Sequence, residues 1–153
     1  MSTIAIGELA PDFTLANEND EQITLSHLRG KKVVIYFYPK DHTPGCTKEA
    51  CDFRDHFDQF IKNNVIVLGI SKDSSRTHQK FKTKHDLPFS LLADVNGDVC
   101  AAYGVIDKKS LFGKTFLGIK RTTVLIDENG IIREIWRQVK VPGHVEQVSH
   151  ASK

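Results

Sequence analysis

Val33-Val34-Ile35-Tyr36-Phe37-Tyr38 and Val65-Ile66-Val67-Leu68-Gly69-Ile70 decide the fold class of this chain. Each is a short, unbroken apolar run rich in β-branched residues, the pattern of a strand covered on both faces. Between them Phe53, Phe57, Phe60 and Ile61 recur at helical spacing, with Asp52, Arg54, Asp55, Asp58 and Lys62 on the opposite face. Strand, amphipathic helix and strand predict a βαβ unit with two parallel central strands.

The elements further out follow the same periodicity rules. Asp73 or Ser74 is placed to cap a polar helix that ends near His85, ahead of Leu87-Pro88. Val95, Val99 and Tyr103 predict a short helix stopped at Gly104. Thr122–Ile126 and Ile131–Trp136 flank Asp127-Glu128-Asn129-Gly130 and read as a β-hairpin. Val145 and Val148 suit a short closing helix, and the tail from Ser149 is expected to fray. The sum is an α/β class chain with a mixed central sheet flanked by helices, its parallel strands central and an antiparallel hairpin toward one edge.

With 153 residues, 40% of them apolar, the chain has enough material for one domain spanning 1–153 around one core. The net charge is +2 and the basic residues are scattered, which gives no reason to expect nucleic acid or an anionic membrane as partner. The start, Met1-Ser2-Thr3-Ile4-Ala5-Ile6-Gly7-Glu8, lacks a basic and then apolar leader, and no run approaches the roughly 18 apolar residues of a membrane span. A cytoplasmic setting is expected. Three cysteines are too few for a secreted disulfide scaffold and fit catalytic, metal-binding or buried roles instead. The seven His have no paired ligand spacing, so neither a metal nor another cofactor is expected.

Chemistry concentrates in Pro39-Lys40-Asp41-His42-Thr43-Pro44-Gly45-Cys46-Thr47-Lys48-Glu49-Ala50-Cys51, which leaves a central strand and enters a helix. In open α/β sheets that is where sites form. Pro44-Gly45 sets Cys46 in the first helical turn, where free backbone N–H groups and the positive end of the helix dipole suit a cysteine that reacts as a thiolate.

Pro39-x-x-x-Thr43-x-x-Cys46 resembles the active-site signature of peroxiredoxins. The run from Thr43 through Cys46, Glu49 and Cys51 to Asp55 is similar to their bacterioferritin-comigratory-protein, or PrxQ, branch. The likeness continues through Gly69-Ile70-Ser71, Leu87-Pro88-Phe89, Tyr103-Gly104-Val105, Gly118-Ile119-x-Arg121-x-Thr123 and Trp136-x-x-Val139-Lys140-Val141-x-Gly143-His144. This resemblance implies a thioredoxin-like fold and a site of Pro39, Thr43, Cys46 and Arg121. It further implies a hydroperoxide substrate, a thioredoxin or similar dithiol reductant, and a monomer.

Each implied role has a physical basis. Arg121 stabilises negative charge on sulfur and on the departing oxygen, Thr43 can hydrogen-bond the peroxide, and Pro39 shields the sulfur without adding a donor. Oxidised Cys46 is a sulfenic acid that must meet another thiol, and Cys51 is its implied resolving partner. On one regular helix, five residues put the two Cα atoms about 8 to 9 Å apart and about 140° around the axis, beyond the roughly 4.4 to 6.8 Å of a disulfide. Turnover through that bond therefore requires the helix to unwind locally.

Several residues keep two readings. Cys51 also suits an inward position as a small apolar residue, and Cys100, among Val99, Ala101, Ala102 and Tyr103, reads as packing or as an alternative resolving thiol. Glu49 is either a solvent-facing carboxylate or a partner that orients Arg121 or Arg54. Thiol-disulfide exchange is the competing enzymatic reading, although that chemistry usually relies on Cys-x-x-Cys. A redox sensor or binding module on the same fold is the non-enzymatic one.

Overall fold

The computed structural model describes residues 4–153, so the reading of Met1 to Thr3 lies outside it. In chain order the elements are β1 Thr14–Asn17, β2 Gln22–Thr24, β3 Lys32–Phe37, α1 Pro44–Asp55, α2 Phe57–Lys62, β4 Val65–Ser71, α3 Ser75–His85 and β5 Ser90–Ala93. They continue with α4 Asp98–Ala102, β6 Ile106–Leu111, β7 Lys114–Ile119, β8 Thr122–Ile126, β9 Ile132–Trp136 and α5 His144–Ala151. Seven strands form one sheet in the order β2-β1-β5-β4-β3-β8-β9. β5, β4 and β3 are parallel at its centre, and β1 and β8 join them antiparallel. The βαβ unit and the β8–β9 hairpin are thus present, and the mixed sheet flanked by helices is the architecture the periodicity predicts.

Alternation along β3 builds a core on both faces. Val33, Ile35 and Phe37 pack with Leu68, Ile70, Leu92, Cys100, Tyr103 and Val124 on one face. Val34, Tyr36 and Tyr38 pack with Cys46, Ala50, Phe53, Phe60, Phe81 and Val148 on the other. Cys46 and Cys100 therefore belong to core clusters on opposite sides of the sheet.

The structure corrects four expectations. The helix after Cys46 is two helices, broken at His56, whose backbone leaves the helical region at φ −101° and ψ 7° while its N–H and its Nδ1 both donate to the Asp52 carbonyl, at 3.1 and 2.9 Å. The break resets the phase, so Phe60 is buried while Ile61 is 59% exposed. Val95 precedes α4 and is exposed. The carboxyl-terminal tail is packed: α5 runs to Ala151, Ser152 is buried, and its carbonyl accepts from Lys32 Nζ at 2.9 Å. Ser74 does cap α3, accepting from the Thr77 N–H at 3.2 Å. β1, β2, β5 and the β6–β7 hairpin had no sequence signal strong enough to declare them. The turn of that hairpin places Phe112 and Gly113 at φ 52° and 77°, and a bulky residue in the left-handed region is not the turn marker one searches for.

Gly69 of β4 marks the tightest approach within the core around the site. A Cβ there would lie 2.8 Å from Tyr36 Cζ and 2.9 Å from Leu91 Cδ2, both rigidly buried. Gly69→Ala is expected to destabilise the fold by about 1–3 kcal/mol through overpacking, measured as a lower urea midpoint with an unchanged slope.

Candidate active site

The loop that leaves β3 is braced before it reaches Cys46. Tyr38 OH donates to Asp41 Oδ1 at 2.6 Å, and His78 Nδ1 is hydrogen-bonded to Asp41 Oδ2 at 2.6 Å while its Nε2 donates to the Leu92 carbonyl at 3.0 Å. The Asp41 N–H donates to Asp73 Oδ2, which also accepts from Ser71 Oγ. Asp41, Asp73 and His78 lie within the reach of one metal ion, but both Asp41 oxygens and both His78 nitrogens are already hydrogen-bonded. The cluster works as a polar brace under the loop. Sequence reading missed it because Asp41 and His78 are 37 residues apart and only the packing of α3 on the sheet brings them together.

After that brace His42 turns through φ 64° and Thr43 returns to extended backbone, with Pro44 opening α1. Thr43 gives its hydroxyl to the Lys40 carbonyl at 2.7 Å, so no side chain caps the first turn of α1. Cys46 sits in that turn, 1% exposed. Pro39 is half-buried where the loop begins.

Arg121 arrives from the other end of the sequence. β8 pairs antiparallel with β3 in a register that sets Thr122 opposite Phe37, so the residue before Thr122 stands at the end of β3 where the loop departs. Arg121 Nη2 donates to Cys46 Sγ at 3.4 Å, and Nη1 donates to Glu49 Oε1 at 2.7 Å. Gly45 leaves room for this approach, since a Cβ there would meet Nη2 at 3.2 Å. Of the sequence candidates, Cys46, Arg121 and Glu49 are thus in direct contact, with Thr43 and Pro39 on the loop beside them and Cys51 half-buried further along α1. All three cysteines are free thiols. Of the two readings of Glu49, the structure selects the partner of Arg121; Arg54 instead binds Asp55 and the His85 carbonyl.

The surroundings set unusual protonation. Burial raises the Glu49 carboxyl to about 7, with Arg121 opposing part of that rise and Asp52 adding to it. Burial, and then the charge of Arg121, lowers His144 to about 4. His144 is hydrogen-bonded through Nε2 to Thr123 Oγ1 at 2.8 Å and packs edge-on against Trp136. The sequence offered His144 only as part of a motif and gave no hint of its burial beside Arg121. Cys100 has its thiol pushed up by burial and by Asp94, on the far face of the sheet from Cys46.

The model of the AhpC/TSA family matches residues 6–135. The chain is 56% identical over 146 residues to a putative peroxiredoxin bcp of Coxiella burnetii, covering 95% of this chain and 97% of that one. It is 47% identical over 151 residues to peroxiredoxin Bcp of Bacillus subtilis, covering 99% and 96%. Among solved structures, PrxQ of Xylella fastidiosa, in a cysteine mutant, superposes with a TM-score of 0.93 at 37% identity, covering 99% and 96%. The bacterioferritin comigratory protein of Xanthomonas campestris, studied for alkyl peroxide reduction, gives 0.90 at 38%, covering 99% and 97%. No helix among the described residues is long and apolar enough to cross a membrane.

The two shifted groups predict opposing pH dependences of stability. The folded state holds the Glu49 proton more tightly than the unfolded chain, so this group's contribution falls as pH rises from about 4.5 to about 7. The folded state holds the His144 proton more weakly, so that contribution falls as pH drops from about 6.5 to about 4. Where the windows overlap the slopes offset each other. Glu49→Gln should leave stability rising with pH through this range, and His144→Asn should leave it falling. Urea midpoints across the range check both signs.

Proposed function

The chain belongs to the AhpC/TSA family, in its Bcp or PrxQ peroxiredoxin branch, and from that premise we propose that Cys46 is the residue through which this thiol peroxidase attacks its hydroperoxide substrate. The observation that carries the assignment is the hydrogen bond from Arg121 Nη2 to Cys46 Sγ at 3.4 Å in the first turn of α1. A guanidinium fixed there stabilises negative charge on sulfur and, as the O–O bond breaks, on the oxygen that leaves. The uncapped N–H groups of the first turn are the donors assigned to orient the peroxide, and Thr43, whose O–H is held by the Lys40 carbonyl, offers its oxygen as an acceptor for the peroxide O–H. Pro39, which has no N–H, borders the site without competing for it.

In the proposed cycle the Cys46 thiolate takes one peroxide oxygen and becomes a sulfenic acid, releasing water or an alcohol. Cys51 then attacks the sulfenic sulfur, expelling water and forming a Cys46–Cys51 disulfide. A thioredoxin-type dithiol reduces that bond. With both residues on α1, five positions apart, disulfide closure requires the helix to open between them. Cys100 takes no part, a reading supported by its place on the other face of the sheet. A reducing, cytoplasmic setting accords with a chain of three cysteines, too few for a disulfide scaffold.

The primary test is peroxide consumption with thioredoxin and its reductase supplied. Cys46→Ser is expected to abolish turnover, and appreciable activity in that variant would overturn the assignment. Arg121→Ala should slow peroxide attack by about a hundredfold, with Lys restoring only part; stopped-flow rates within twofold of the parent would remove Arg121 from the site.

Peptide mapping after one equivalent of peroxide should find Cys46 joined to Cys51, with Cys100 still open to alkylation. Amide exchange should quicken between Cys46 and Cys51 in the oxidised protein. A Cys46–Cys100 bridge would reassign the resolving role. Unchanged protection across a 46–51 bridge would dispose of the unwinding step alone.

A further inference from the structure

One cation at this site faces two acidic groups. Arg121 touches Cys46 Sγ through Nη2 and Glu49 Oε1 through Nη1. Glu49 is fully buried, and its second oxygen, Oε2, has no hydrogen-bond partner. Tyr36 OH is the only other buried side-chain polar atom among the described residues in that condition, and it lies within electrostatic range of Glu49. A thiolate and a carboxylate together on one guanidinium would leave a negative charge uncompensated in a place that excludes water, which is strongly unfavourable. With Cys46 ionised, the compatible arrangement is thiolate, guanidinium and neutral carboxylic acid. Once sulfur has become a neutral sulfenic acid, the compatible arrangement is guanidinium and carboxylate. The proton on Glu49 and the oxidation state of Cys46 are therefore linked.

Resting on the assignment of Cys46 as the attacking thiolate, we propose that Glu49 is a proton store for the reaction, protonated in the reduced enzyme and ionised when Cys46 becomes a sulfenic acid. The step balances. Cys46 S⁻ forms a bond to the hydroxyl oxygen of ROOH as the O–O bond breaks, so sulfur loses two electrons and the peroxide gains them. The departing RO⁻ takes up one proton to become ROH, and Glu49, its hold on the proton weakened once Arg121 no longer faces a thiolate, releases one. Thiolate, ROOH and carboxylic acid become sulfenic acid, ROH and carboxylate, with no net proton drawn from solvent.

The neighbouring charges leave this exchange to Glu49. Asp52, on the same helix, is ion-paired with Lys48, and Asp41 below Tyr36 is engaged by His78. Cys51 is a free thiol on α1, Tyr36 of β3 has its phenol held well above its ordinary range by burial and then by Glu49, and His144 of α5 stays neutral beside Arg121 at physiological pH. A carboxyl raised to about 7 by burial can hold or release a proton near neutral pH. Glu49 acts through Arg121; the structure gives it no contact with substrate.

The test uses the full chain carrying Cys51→Ser, which halts the cycle at the sulfenic acid, with and without Glu49→Gln. In weak buffer just below pH 7, with a pH indicator in a stopped-flow instrument, one equivalent of hydrogen peroxide is added. Protons taken from solvent are counted per Cys46 sulfenic acid trapped with dimedone. The count should be well below one with Glu49 and about one with Gln, because the departing hydroxide then draws its proton from water. Infrared difference spectra should lose a protonated-carboxyl C=O band on oxidation only when Glu49 is present. Equal proton counts in the two proteins, whether near zero or near one, or a carboxyl band unchanged by oxidation, would overturn the proposal. If Glu49→Gln does not fold, the infrared measurement on the Glu49 protein decides alone. Absence of any sulfenic acid at Cys46 is a separate result that removes the peroxidatic assignment itself and the proton store with it.

Discussion

A single guanidinium has to serve two acidic side chains three residues apart on one helix, and most of the site follows from that constraint. Arg121 reaches both Cys46 and Glu49 because they fall on the same face of α1, one turn apart. Holding a cation there, half-buried, requires anions close by, and the two groups provide them in turn. The surrounding histidine is kept uncharged by the same burial, so Arg121 meets no competing cation from α5. A side chain at position 45 would press on the guanidinium, which gives Gly45 a role independent of any turn.

The helix that presents Cys46 is both scaffold and obstacle. Its first turn is left without a capping side chain because Thr43 bonds backward to Lys40, which keeps the amides free for an incoming oxygen. Its regularity also keeps Cys46 and Cys51 too far apart to bond. The Asp41 brace upstream is fixed to Tyr38, His78 and Asp73. Any opening of α1 therefore begins downstream of a loop tied to the sheet and to α3, and β3 and its neighbours need not move.

The elements most legible in the sequence were those whose signal is local. β3 and β4 stood out because strands buried on both faces must be apolar at every position. α3 stood out because Asp73-Ser74 offers a cap at its start, and β8–β9 because two apolar runs flank a turn. The spacing from Pro39 to Cys51 likewise carried the candidate nucleophile and its implied resolving partner, since helix position and residue interval are properties of one segment.

What the sequence could not decide was everything that depends on register or on a contact across the chain. Only the resemblance put Arg121 in the site; the pairing of Thr122 with Phe37 is what physically brings this strand-end charge to a cysteine 75 residues away. The break at His56 lies in one residue's backbone leaving the helical region, which no hydrophobic period records. Cys100 was separated from Cys46 only when the sheet came between them. Glu49 could face water or Arg121 as far as composition tells; burial against β3 made the choice and raised its carboxyl. Spacing along one segment determined which residues could do chemistry, and the sheet determined which of them meet, because charge and solvation act through space and the sheet's register sets the distances.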